Sequence, residues 1–323
     1  MHQSTVFSII VITFNRPTLL ARALRSVLAQ TFCNWECIVV DDAGDTDTVA
    51  ILRQLNDARL RLIRHPTNKG ASAAVNTGIE AAHGALISRL DDDDELSPLF
   101  LENTYALFQA SPEIGFAWAG VRCVRDTTTG AFPLYERVWP ECIQPREAAV
   151  VAATTIGGGF GLTIRRGVTD VAGFFDETFR VGGDTEYYFR LVKHCSFKTV
   201  PHVLVTIHDH SQSRLTGPRY DMRRFELYAS TLQRHSDFIA SFPALFDIHY
   251  RRLAQMAFSL GLKREGRRIM RALFKNGQGR GTLLRDLVFY ETTGVDASTL
   301  WQRSRLWILT AKLRRLWQHR RPK

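Results

Sequence analysis

Along residues 1–90 the apolar positions switch repeatedly between a strand period and a helix period. Residues 7–14, FSIIVITF, form an unbroken β-branched and aromatic run, the pattern of a strand buried on both faces of a parallel sheet. Pro17 then opens a helix to about residue 30, with Leu20, Ala23, Leu24, Val27 and Leu28 on one stripe. A second strand over 35–40 ends in Asp41 and Asp42. A helix near 46–55, a strand at 60–64, the turn Asn68-Lys69-Gly70 and a helix over 71–82 follow, and a short buried strand over 85–90 closes the series. This alternation predicts an α/β fold with a doubly wound, mostly parallel sheet. Ligands in such sheets bind beyond the carboxyl ends of the strands. Those ends carry Thr13, Asn15 and Arg16, then Asp41 and Asp42, then Asp91 to Asp94.

Further on, residues 115–139 read as strand, Thr-rich turn and strand, a ribbon expected over the site. The glycines from Gly157 to Gly161 precede a strand over 162–165, and read as a loop that lets backbone approach closely, with a phosphate cradle as the alternative. Gly182-Gly183-Asp184-Thr185-Glu186 opens a helix to about residue 194, where an aspartate can serve simply as a cap. A strand over 197–206 leads into His208-Asp209-His210-Ser211-Gln212-Ser213. After Tyr220 the pattern turns helical, over 222–238, 246–262, 263–274 and 298–319. The expected organisation is a sheet domain over 1–220 and a helical extension over 221–323.

The stretch ALISRLDDDDELSP at 85–98 holds the densest chemistry. Ser97 and Pro98 suit the cap and first turn of a helix, but they leave four aspartates and Glu95 unexplained. Neighbouring carboxylates raise one another's pKa unless a cation compensates them. With an extended backbone, Asp91 and Asp93 face one side and Asp92 and Asp94 the other. Paired carboxylates of this kind suit Mg²⁺ or Mn²⁺.

Charge changes the picture of the tail. Residues 1–220 carry 21 Lys+Arg against 24 Asp+Glu, and residues 221–323 carry 21 against 8, so a body of −3 joins a tail of +13. Residues 301–323 hold eight Lys/Arg and no acid, interleaved with Trp301, Leu306, Trp307, Leu309, Leu313, Leu316 and Trp317. Such a helix suits either an anionic membrane surface or packing on the sheet domain with a solvated basic face. No nucleic-acid-binding module accompanies the charge. No apolar run approaches the ~18 residues that span a bilayer. The first residues lack a basic n-region and cleavage site, so a cytoplasmic chain is expected. Five cysteines without a CxxC pair fit reduced thiols and no zinc site. No GxGxxG follows the first strand, which argues against dinucleotide binding.

In order, SIIVITFNR, LAQTFCNWECIVVDDAG, NKGASAAVNTGIEAAHG and LISRLDDDDELSP, then RRGVTDVAGFFDETFRVGGDTEYYFRLV and IHDHSQS, resemble family 2 glycosyltransferases of the GT-A fold over residues 6–215. The resemblance implies a metal-dependent, inverting, hexosyltransferase-type enzyme that moves a sugar from a nucleotide-diphosphate sugar, UDP-linked by expectation, to a hydroxyl acceptor. The product would be a cell-surface polysaccharide or glycan, and the acceptor a saccharide or lipid-linked saccharide. It places Thr13 and Arg16 beside the base, Asp42 on the uracil N–H and Asn15 among the donor-binding residues. Lys69, Asn76, Asp91 and Asp92 would complete the donor site. Where the family often has Arg before the asparagine, this chain has Val75. Asp91, Asp93 and His208 would hold the metal, with Asp94 in support and His210 as the rival histidine. Asp184 would be the general base that an acceptor hydroxyl requires, with Glu186 the alternative. A related nucleotidyltransferase would carry a glycine-rich phosphate loop after the first strand, absent here. The other reading is a catalytically degenerate nucleotide-sugar binding or scaffolding protein.

Overall fold

The structure is a computed structural model that describes residues 5–156, 161–179, 182–210 and 221–275. The chain separates into two compact units, residues 1–212 and 213–323. The expectations resting on Gly157 to Phe160, on Ser211 and Ser213, and on the helix over 298–319 with its basic tail lie outside the described residues.

The first unit is built on a sheet of nine strands among the described residues. Its first half alternates as the pattern predicts: β1 Phe7–Thr13, α1 Pro17–Leu28, β2 Trp35–Asp41, α2 Thr48–Leu55, β3 Leu60–Arg64, α3 Ala71–Glu80 and β4 Leu86–Asp91. Helix α2 begins two residues later than the pattern suggests, because the Asp47 carboxylate caps it by accepting from Ala50 N at 2.9 Å. Strands β3, β2, β1 and β4 lie side by side in that order, all parallel. Ile9, Val11, Cys37 and Val39 are fully buried, as strands covered on both faces must be. On one face α1 buries Leu20, Ala23, Leu24 and Val27 in the main core. Helix α3 packs so close to β1 that a Cβ at Gly78 would stand 2.4 Å from Ile10 Cγ2.

The second half mixes directions. After β5 Glu95–Leu96 and α4 Phe100–Ala110 come β6 Ile114–Thr127, β7 Gly130–Arg137, α5 Arg146–Thr155, β8 Thr163–Arg165, α6 Val168–Ala172, α7 Gly183–His194 and β9 Ser196–Asp209. The sheet continues from β4 through β8, β6 and β9 to β5, with β7 paired to β6 alone. The expected ribbon over 115–139 is therefore only half a ribbon. Its first strand lies inside the sheet, pairing β8 at one end and running parallel to β9, and β7 alone projects, with Phe132, Leu134 and Tyr135 exposed.

Register fixes where the chemistry collects. Thr13 lies level with Asp41, and Ile12 with Asp91, so the polar ends of β1, β2 and β4 share one edge. Strand β9 runs on to Asp209, opposite Arg125, three residues past the expected end. That extension brings His208 into the sheet, where a loop was anticipated.

In the second unit the helix expected over 222–238 is broken at His235 into α8 Met222–Arg234 and α9 Ser236–Ala240. Two further helices follow, α10 Pro243–Ser259 and α11 Lys263–Lys275. Helix α11 buries Ile269, Met270 and Leu273 and leaves Arg264, Arg267, Arg268 and Arg271 exposed. Among the described residues no helix is long and apolar enough to cross a membrane.

Candidate active site

Strand β4 ends at Asp91, and the chain turns at once, with Asp94 N donating to Asp91 O at 3.1 Å. The turn breaks the two-residue alternation expected for an extended chain. Asp92 is driven inward and is wholly buried, while one carboxylate oxygen from each of Asp91, Asp93 and Asp94 lies within 4.8 Å of the others. Asp94 thus joins Asp91 and Asp93, and Asp92 does not face a ligand. Asp92 instead accepts from Thr13 Oγ1 at 2.7 Å and pairs with Arg16 at 2.5 Å. Burial pushes its carboxyl up to about 7, against the pull of Arg16 and Thr13. Thr13 is itself buried, so both residues brace the edge from behind. Arg16 also reaches Asp93 at 2.9 Å.

The three converging carboxylates fit a hard divalent ion, which takes oxygen ligands and offsets mutual repulsion. Burial raises the Asp91 carboxyl above the ordinary range; Arg89 opposes that, and Asp93 and Asp184 reinforce it. The expectation for His208 is corrected. Its Nδ1 is 2.7 Å from Asp126 and its Nε2 2.8 Å from Glu95, so both ring nitrogens are engaged away from the cluster. Burial works against its charge, but those two bonds hold the imidazole above the usual histidine value. It is His210 whose Nε2 stands 3.0 Å from Asp93. Arg22, unremarked in the sequence, ties this network together by binding Asp126 at 2.9 Å and the carbonyl of Asp93 at 2.7 Å.

Across the edge stands the first turn of α7. Gly182 is its N-cap, so Asp184 is not needed as a cap and its side chain is 32% exposed. Arg89 joins it to the cluster: one guanidinium nitrogen donates to Asp184 Oδ1, while Nε and Nη2 donate to Asp91 Oδ1 at 3.1 and 2.9 Å. Glu186, two residues on, points elsewhere. It is fully buried and bound by Arg190 through contacts of 2.7 to 3.0 Å. Glu186 is thereby removed as a rival base. A charged residue within the buried strand LISRL was a signal for Arg89, and strand alternation places it on the same face as Asp91.

The remaining donor-side residues divide. Asn15 is exposed, has φ 56°, and accepts from Asp45 N at 2.6 Å. Lys69 is exposed beside the same edge, its backbone N donating to Asp42 at 2.8 Å. Asp42 also accepts from Gly70 N at 2.8 Å and meets His65 Nδ1 at 2.7 Å. A carboxylate offers about four acceptor positions, so a nucleobase N–H would be its fourth partner. Asn76 does not face a donor. It is buried and holds the turn before α7, donating to Phe175 O and Glu177 at 2.9 Å and accepting from Phe175 N at 2.9 Å.

A parallel βα half joined to a mixed half, with carboxylates at the strand ends, defines the GT-A class of fold. The crystal structure of residues 1–349 of S. aureus TarS in complex with UDP-GlcNAc superposes with a TM-score of 0.58 over 84% of this chain and 89% of that one; at 16% identity the likeness is one of fold. The model of the Glycosyl transferase family 2 family matches residues 8–168. Among curated relatives, a protein provisionally named colanic acid biosynthesis glycosyl transferase WcaA, from Escherichia coli K12, is 40% identical over 100 residues, 30% of this chain and 36% of the relative. The UDP-Glc:alpha-D-GlcNAc-diphosphoundecaprenol beta-1,3-glucosyltransferase WfgD of Escherichia coli is 37% identical over 87 residues, 27% of this chain and 34% of the relative. The chain thus spans about a third of the length of these two relatives. It belongs to glycosyltransferase family 2.

Proposed function

We propose that the chain transfers a sugar, with inversion, from a UDP-sugar to a hydroxyl of a saccharide or lipid-linked saccharide in cell-surface polysaccharide synthesis. The observation that carries this reading is the opposition of Asp184 to the Asp91, Asp93 and Asp94 carboxylates, with Arg89 between them. The relatives' names support the pathway class, and WfgD's name supports a lipid diphosphate acceptor. Asp91, Asp93 and Asp94 would hold Mn²⁺ or Mg²⁺, which when bound offsets the negative charge of a departing diphosphate. Asn15, Arg16 and Lys69 line the donor side. Asp184 accepts the acceptor hydroxyl's proton as its oxygen attacks the anomeric carbon from the face opposite the diphosphate. The carbon–oxygen bond to UDP breaks as the new glycosidic bond forms, which inverts the configuration.

The test is release of UDP from a panel of UDP-sugars, with pooled saccharides or water as acceptor. Turnover of at least one donor is expected. Binding of UDP without turnover of any would favour the nucleotide-sugar binding reading instead.

The domain organisation proposed is a catalytic sheet domain over 1–220 and a basic helical extension over 221–323. Its +8 charge and three tryptophans from residue 301 onward support peripheral attachment to the cytoplasmic face of an anionic membrane. A chain ending at Val295 should then lose co-sedimentation with phosphatidylglycerol vesicles that the full chain displays. Equal sedimentation of the two would remove the membrane role.

A further inference from the structure

We propose that Arg89 is a positioning residue for the acceptor-side acid, setting where Asp184 stands relative to the donor-side carboxylates. The proposal rests on the reading of Asp184 given above. Arg89 lies on β4 directly beside Ile10 of β1, inside the sheet. Its side chain is 12% exposed, and its backbone N donates to Leu162 O at 3.0 Å. From this anchored position the guanidinium reaches two carboxylates that belong to different parts of the chain. Asp91 is two residues away, and Asp184 is separated from it by 95 positions.

The geometry is specific to a planar, forked cation. Nε and Nη2 converge on Asp91 Oδ1, and Nη1 is directed at Asp184 Oδ1. A lysine ammonium is a point charge and does not reproduce this fork. Among the described residues only Oδ1 of Asp184 is engaged, which leaves Oδ2 for an acceptor hydroxyl. The guanidinium is also backed by the Phe175 ring, whose centroid is 6.0 Å from Arg89 Cζ. Phe175 in turn is stacked on Tyr187 at 4.0 Å and clamped through its backbone by Asn76. Asn76, expected in the donor site, therefore acts behind the acid: it fixes the turn on which Arg89 leans. Asp184 follows Gly182, at φ 80°, and Gly183, which is buried against Ser72, and Arg89 is the cation that holds its carboxylate.

Four proteins test the proposal: Arg89→Met, Arg89→Lys, Asp184→Asn and the double variant Arg89→Met/Asp184→Asn. UDP affinity in Mn²⁺ is read by calorimetry, and turnover by UDP release from whichever of UDP-GlcNAc and UDP-glucose the wild type consumes. A misplaced catalytic group costs on the order of 10²-fold, so Arg89→Met should slow turnover by about that factor at saturating Mn²⁺, where excess ion offsets what Asp91 loses with Arg89, while UDP affinity stays within about threefold. Arg89→Lys should recover part of the loss. Because Arg89 acts through Asp184, the double variant should be no slower than Asp184→Asn alone. If Arg89→Met fails to fold, Arg89→Lys carries the same test, with turnover reduced and UDP affinity kept. Multiplicative losses in the double variant would overturn the proposal. So would an unaltered turnover in Arg89→Met, or a parallel fall in UDP affinity, which would assign Arg89 to the donor. Full turnover in Asp184→Asn would instead overturn the reading of the acid on which the proposal stands.

Discussion

Asp184→Asn is expected to bind UDP as the wild type does and to transfer sugar about 10²–10⁴ times more slowly. The substitution keeps the size of the side chain and a carbonyl oxygen toward Arg89, so the first turn of α7 should stay in place. What it removes is the capacity to take a proton. An acceptor hydroxyl is a weak nucleophile without a base, and Glu186, the other carboxylate in the first turn of α7, is buried against Arg190. Glu186→Gln is the contrasting variant. It leaves the Arg190 guanidinium without a charged partner beside a fully buried side chain, and breaking a buried pair costs about 3–5 kcal/mol. Its effect should appear in the unfolding temperature. A folded Glu186→Gln protein that had lost turnover, beside an active Asp184→Asn, would reverse the assignment.

The second large effect concerns the donor side. UDP affinity measured by calorimetry in Mn²⁺ should exceed that in excess chelator by at least about tenfold, or about 1.4 kcal/mol. Asp93→Ala should abolish that difference while leaving Arg16 its partner in Asp92, 2.5 Å away. Asp93 is the better choice of variant, because Asp91 also carries Arg89 and Asp94 also accepts from His208 N at 3.2 Å. Equal affinities with and without the ion would show that these carboxylates hold no cation needed for the donor.

Much of this was legible in the order of residues. Strands buried on both faces announce themselves by unbroken β-branched runs, and the parallel half of the sheet followed from them. The acidic strand exit and the acid at the start of α7 were visible because their chemistry is local in sequence. What was not legible depends on contacts between distant segments. Asp94 crosses to the side of Asp91 and Asp93, leaving Asp92 alone on the other, because the chain turns immediately after Asp91, a bend that four identical residues do not specify. His208 gives way to His210 beside Asp93 because β9 pairs with β6 as far as Asp209. Asn76 serves a turn 99 positions away in sequence, and Arg89 an acid 95 positions away. Glu186 and Asp184 look equivalent on paper. Only packing shows that one faces Arg190 in the interior and the other the strand edge.

The proposed reaction is inverting transfer from a UDP-sugar at the edge shared by β1, β2, β4 and α7. Proton NMR of the product formed from an α-linked UDP-sugar tests it most directly, with UDP counted in the same sample. One UDP per sugar transferred and a β-anomeric signal in the first product formed are expected. An α-linked product would contradict it, as would sugar transfer without UDP release.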